Sequence, residues 1–266
     1  MRWMRFAAEG REGAWGIVEG DRVHETEHGP FDGTVERTRR VHALSEVVAA
    51  VPFVPRTFYA AGLNYVSHVR EMADRRGEAP NLPAKPDMGY RAVNALIAHD
   101  EHVVIPRDAT QVQYEGELAV VIGRRAKHLT EADALSCVLG YTIGNDVSER
   151  AWQKSDRTFW RAKNADTFKP MGPWIETGLD EAALEAMTTT VRLNGEVRTQ
   201  FATWDMLFGV RRFIATMTQY LTLYPGDVIW MGTDGVSPDL EPGDVVEIDI
   251  SGIGTLRNQF IVEDAG

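Results

Sequence analysis

The chain of 266 residues has one cysteine, Cys137, so no disulfide can form within it. That fits a reducing, cytoplasmic setting. Cys137 lies in the apolar run from Ala134 to Leu139 and reads as a small buried hydrophobe. Basic charge is also short: 28 Lys and Arg against 39 Asp and Glu leave a formal net charge of -11. With no basic field to attract a polyanion, neither nucleic acid nor an anionic membrane is expected as a partner. No apolar run approaches the roughly 18 residues that would span a bilayer. Met1-Arg2-Trp3-Met4-Arg5-Phe6 does not begin a secretory leader. A GxGxxG or P-loop pattern is missing, which argues against a nucleotide cofactor. Strand–helix–strand alternation is missing too, which argues against a doubly wound parallel sheet.

What is present is an ordinary globular composition, 44% hydrophobic and 25% charged. Many short strand-like runs and few helices predict a mostly β, α+β fold with mixed sheets. Residues 1–52 read as a small N-terminal α/β domain, with strands at Phe6–Ala8 and Ala14–Val18 and a short helix over Ala43–Val51. Pro52 and Pro55 mark its end, so 53–266 forms the second domain. There, Thr57–Gly62 reads as a strand, and Asn64 as the N-cap of a helix that follows. The run from Asp74 to Tyr90, with Pro80, Pro83 and Pro86, reads as a mobile lid or binding loop. A helix is expected from Thr130 to near Gly140, and an amphipathic one across Asp205–Tyr220. Asn194-Gly195 predicts a hairpin turn.

The chemistry centres on Gln113-Tyr114-Glu115-Gly116-Glu117, which opens a long apolar strand. Residues two apart on a strand share a face, so Glu115 and Glu117 project together. Paired carboxylates repel unless a positive charge joins them, and a divalent cation is the simplest one. Asp146, at the end of another apolar strand, could be a third oxygen ligand. Oxygen-only ligands favour Mg²⁺ or Mn²⁺, with Ca²⁺ a further hard cation. His68 and Glu71 stand one helical turn apart, where Glu71 could raise the basicity of the imidazole and let it deprotonate water. Arg150, Gln153 and Lys163 could face a substrate carboxylate, as could Gly232-Thr233.

In order, these segments resemble the fumarylacetoacetate hydrolase family from about Tyr59 to Phe260. The carriers begin with Gly62-Leu63-Asn64-Tyr65-x-x-His68-x-x-Glu71 and Tyr114-Glu115-Gly116-Glu117-Leu118. Gly144-Asn145-Asp146-Val147-Ser148-x-Arg150 and Lys163-x-x-Asp166-Thr167-Phe168-x-Pro170-x-Gly172-Pro173 follow, then Pro225-Gly226-Asp227 and Gly232-Thr233. The resemblance implies a mixed β-roll catalytic domain, a homodimer, and Mg²⁺ or Mn²⁺ on Glu115, Glu117 and Asp146. It implies a His68/Glu71 water-activating dyad and Lys163 as the substrate or oxyanion lysine. Arg150, Gln153, Thr233, Tyr65 and Arg91 are the implied substrate contacts. The sequence departs from the family at Gly89-Tyr90-Arg91 and at Gly232-Thr233-Asp234-Gly235-Val236. A small 2-oxo acid with a second carbonyl nearby, such as an acylpyruvate, is the expected substrate, and carbon–carbon hydrolysis the expected reaction. Decarboxylation of an oxaloacetate-like acid and isomerisation of a hydroxy-dienedioate are the alternatives. A non-catalytic carboxylate- and cation-binding module is the alternative of another class.

Overall fold

The computed structural model describes residues 1–263, without the side chains of residues 75 and 76. The C-terminal limit expected at residue 266 lies outside the described residues. A twelve-stranded sheet runs through the molecule. Its central strand is Gly116–Ile122, whose seven residues are all buried. The alternating side chains divide between two cores. Leu118, Val120 and Ile122 enter the larger one, and Ala119 and Val121 pack beside Phe58, Met171 and Trp230. Glu117 belongs by alternation to the second face, so the carboxylates open on the Trp230 side.

The strands Val138–Asn145 and Val228–Trp230 flank Gly116–Ile122, both antiparallel to it. Phe58–Ala61 then runs parallel to Val228–Trp230, which makes the sheet mixed. Met88–Tyr90 forms that edge. A second sheet of five strands, Glu196–Ala202, Thr188–Leu193, Val245–Ile250, Gly254–Val262 and His102–Ile105, packs against the first through residues such as Val191, Ile248 and Phe260. Asn194 and Gly195 turn its hairpin with φ of 53° and 81°, the left-handed pair that Asn-Gly supplies.

The N-terminal unit differs from its expectation. Residues 1–52 hold strands and one 3₁₀ turn, Leu44–Glu46, with no α-helix. Over Ala43–Val51, Val48–Ala49 instead pairs with Ala7 and Phe6 of the first strand. That strand, Arg2–Ala8, in turn joins Lys169–Glu176, so the N-terminal strands extend the large sheet. The helix expected from Thr130 to Gly140 is also replaced. Only Ala134–Cys137 forms a 3₁₀ turn, because Val138–Asn145 is held as a strand from both sides.

Four short α-helices lie among the described residues: α1 (Val66–Arg76), α2 (Arg150–Gln153), α3 (Glu181–Glu185) and α4 (Val210–Tyr220). Asn64 does not cap α1; the N-cap is Tyr65, with no side-chain bond. The Asn64 amide is spent elsewhere. Its nitrogen donates to the carbonyls of Met231 (2.9 Å) and Phe208 (3.2 Å), and its oxygen accepts from Phe208 N–H (2.9 Å). This clamp ties residues 207–208 to Asn64 as a bend outside any helix, and α4 starts at Val210 rather than at Asp205. Gly77, with φ of 66°, ends α1 inside the run expected to be a loop, which itself ends in the strand Met88–Tyr90.

Candidate active site

A cavity of about 550 Å³ opens where the ends of these strands meet α1 and α2. It is lined by Glu115, Glu117, Lys163, Arg91, Arg150, Gln153, His68 and Thr233, and by the apolar side chains of Leu63, Met72 and Phe159. Segments that lie far apart in the chain thus converge on one space.

Glu115, Glu117 and Asp146 are all buried, and one oxygen from each lies within 4.8 Å of the others. Local backbone fixes them. Glu115 N–H donates to Asn145 Oδ1 (3.0 Å), and Asp146 N–H donates to the Glu115 carbonyl (2.9 Å). Each carboxylate has a different environment. Burial works against the charge of Asp146, but Arg91, Lys163 and Lys169 outweigh it and hold the carboxyl well below its ordinary range. Arg91 Nη2 and Lys163 Nζ reach Oδ2 at 2.7 and 2.9 Å, and Lys169 Nζ reaches Oδ1 at 2.8 Å. Burial likewise opposes ionised Glu115, and Lys163 and Arg150, both at 2.6 Å, bring its carboxyl below the ordinary value.

Glu117 has no such support. Gly232 N–H donates to its Oε2 (2.8 Å), and no cationic side chain pairs with it among the described residues. Burial, with the like charges of Asp146 and Glu115, raises its carboxyl well above the ordinary value. A buried carboxylate with this deficit, beside two other carboxylate oxygens, is a place where a hard divalent cation fits. Glu115, Glu117 and Asp146 are the residues that would hold it.

His68 projects from α1, and its Nδ1 lies 2.7 Å from the Gly235 carbonyl. A carbonyl only accepts, so Nδ1 carries the proton and Nε2 is left as the basic nitrogen. His68 and Glu71, expected to act as a dyad, are not joined by a hydrogen bond in the structure, and Glu71 is not among the cavity-lining residues. The carbonyl of Gly235 holds the imidazole where a carboxylate was expected. Tyr65, expected as a substrate contact, does not line the cavity. It is 1% exposed, and its hydroxyl donates to the Thr203 carbonyl at 2.6 Å. Arg91 lines the cavity, but its guanidinium is engaged with both oxygens of Asp146. Arg150 spans Gln113, Gln153 and Glu115, and Thr233 sits on the cavity wall.

Sequence reasoning missed Lys169, whose ammonium is fully buried and meets Asp146 and the carbonyls of Val147 (2.9 Å) and Phe168 (2.8 Å). Burial pushes its pKa down to about 7, with Arg91 and Lys163 adding to the effect against the pull of Asp146. The signal was a lone lysine in the otherwise apolar stretch Phe168–Met171. Gly232-Thr233 was expected to face a substrate carboxylate, and Gly232 N–H holds Glu117 instead; the Gly235 carbonyl was missed, since a backbone group leaves no mark on residue type.

Buried oxygen ligands, a histidine with one free nitrogen and ammonium groups within one cavity define an acid–base site built around carboxylates. Residues 57–261 match the family model described as "Fumarylacetoacetate (FAA) hydrolase C-terminal", and residues 1–48 match "Rv2993c-like, N-terminal". The chain belongs to the fumarylacetoacetate hydrolase family. It is 41% identical to Protein Rv2993c of Mycobacterium tuberculosis, over 87% of this chain and 85% of the relative. A 2,4-didehydro-3-deoxy-L-rhamnonate hydrolase of a Sphingomonas species is 34% identical, over 97% of this chain and 95% of the relative. The crystal structure of a 5-carboxymethyl-2-hydroxymuconate delta-isomerase from Mycobacterium smegmatis superposes with a TM-score of 0.87 at 37% identity. That match covers 99% of this chain and all of the other. The fold is therefore mostly β as expected, and the family contains both hydrolases and isomerases. No described helix is long and apolar enough to cross a membrane.

Proposed function

We propose that this protein is a Mg²⁺- or Mn²⁺-dependent hydrolase that cleaves a carbon–carbon bond in a 2-oxo acid bearing a second carbonyl, as in an acylpyruvate. The observation that carries the reading is the placement of His68 in the cavity of the carboxylate triad, with Nδ1 committed to Gly235 and Nε2 free. A cation held by Glu115, Glu117 and Asp146 would supply Lewis-acid polarisation of the two oxygens at the 2-oxo acid end.

The chain's own groups do the rest. Lys163 and Arg150 line the cavity beside Glu115 and present positive charge to the substrate carboxylate and to a developing enolate. His68 Nε2 takes a proton from water, and the water oxygen bonds to the distal carbonyl carbon. The bond between that carbon and its neighbour breaks, its electron pair becomes the pyruvate enolate, and the enolate carbon is then protonated. The distal half leaves as a carboxylic acid. Leu63, Met72 and Phe159 give its tail an apolar wall.

Isomerisation is the second reading, favoured by the resemblance to the delta-isomerase. His68 Nε2 would then carry a proton between carbons, and no water would add. A panel of 2-oxo acids with Mg²⁺ or Mn²⁺, with products identified by mass, separates the two: hydrolysis adds 18 Da in total, about the mass of one water, and isomerisation adds none. Removing the base through His68→Ala should lower kcat by about 10²–10⁴-fold. Full activity of Glu117→Ala in chelator-treated buffer would reject the metal, and normal hydrolysis by His68→Ala would reject the base.

A further inference from the structure

The segment Gly232–Gly235 touches both halves of the site. At one end Gly232 N–H holds Glu117; at the other the Gly235 carbonyl holds His68. Between them stands Asp234. Its carboxylate does two things. Oδ1 accepts from Gly235 N–H at 2.8 Å, which pins the peptide whose next carbonyl faces His68. Both oxygens also lie 2.6 Å from the hydroxyl of Ser67, the residue before His68 on α1. Two consecutive residues of α1 are thereby tied to two consecutive residues of the loop. Gly235 has little freedom to answer a disturbance, for its φ is +73° and an added Cβ would stand 2.7 Å from Thr199 Cγ2.

The geometry points to Ser67 and Asp234 as a latch that positions the base: it docks the first turn of α1 and sets the Nδ1-protonated tautomer of His68. Neither residue lines the cavity, so both act through His68 and are positioning residues. Without the latch, α1 would keep only the His68–Gly235 bond to this loop, and Gly235 would lose the side-chain acceptor that orients its peptide. The imidazole would then share its proton between Nδ1 and Nε2, and the fraction with a basic Nε2 facing the cavity would fall. The catalytic consequence rests on the function proposed above; the structural one does not.

The test reads the imidazole directly. In metal-free protein at about pH 8, above the ordinary histidine pKa of about 6.5, ¹⁵N NMR distinguishes the two neutral tautomers. His68→Gln assigns the signal among the seven histidines. The wild type should show the Nδ1–H form. Ser67→Ala and Asp234→Ala should both move the shifts toward a mixture, whereas Ser67→Thr, which keeps the hydroxyl, should hold the wild-type signature. Ser67 is exposed, so its truncation leaves the fold intact and the spectrum interpretable. On an active substrate, kcat should fall about tenfold or more in both alanine variants, with KM changed much less, as for a displaced catalytic group. Wild-type shifts in both alanine variants, or an Nε2–H form in the wild type, would overturn the latch. Shifts that move as expected in a protein that turns over no 2-oxo acid would uphold the latch and reject the function.

Discussion

Asp146 and Lys169 show how single residues set the charge of the site. Three cationic side chains meet one buried carboxylate, while Glu117 has none. The imbalance places the strongest call for a further positive charge at Glu117 and makes a bound cation share Asp146 with protein donors. Lys169 bears a cost for its position, and that cost depends on pH. Its pKa falls from about 10.4 in the unfolded chain to about 7 in the folded one. The unfolded state therefore binds more protons between these values, and stability from this group is lost as pH falls from about 10.4 to about 7 and levels off below that. In metal-free buffer the wild type should gain stability over Lys169→Met as pH rises from about 7 to 9. The gain should be on the order of 1 kcal/mol per pH unit. Urea denaturation across that range measures it; parallel profiles for the two proteins would contradict the buried, proton-shedding lysine.

At the level of elements, the strand carrying the carboxylates was legible because its pattern is local. Glu115 and Glu117 stand two apart before an apolar run that is buried throughout. The Asn194-Gly195 hairpin was legible for the same reason, since the turn needs what those two residues supply. The helices over Ala43–Val51 and Thr130–Gly140 were misread because pairing partners outside each stretch, such as Phe6 and Val121, claim the backbone there. The partner of His68 was hidden for a stronger reason: Gly235 lies 167 residues away and acts through a carbonyl. Glu71 was the obvious local partner and is not the one the fold uses. Packing between elements gives a further prediction. Gly144 faces Glu117 across the sheet, and a Cβ there would stand 2.6 Å from the indole of the fully buried Trp230. Gly144→Ala should lower stability by on the order of 3 kcal/mol, the upper end for overpacking. It should also weaken cation binding, since the displaced strand leads into Asn145 and Asp146. An unchanged denaturation midpoint would show that Trp230 has room to yield.

For the whole molecule, the position of the triad matters more than its composition. Gly116–Ile122 is central in the twelve-stranded sheet, and Asp146 follows the neighbouring strand Val138–Asn145. Their side chains fill both large cores, so the triad cannot come apart without opening the body of the protein. A ligand of the triad binds the folded state and has no matching site in the unfolded chain. It must then raise global stability by mass action, about 2.7 kcal/mol at a hundredfold excess over Kd. For a chain of this size that amounts to about 5–10 °C in Tm. Wild-type protein in excess Mn²⁺ should show this rise by calorimetry. The acidic surface, with a formal charge of -11, will also attract Mn²⁺ loosely, so a bare shift does not locate the ion. Glu117→Gln supplies the control, because it leaves every cation pair around Asp146 and Glu115 in place and removes the carboxylate of the triad that lacks a cationic partner. Its Tm should stay nearly level in Mn²⁺. An equal rise in the two proteins would place the stabilising ion elsewhere and remove the triad's claim to it.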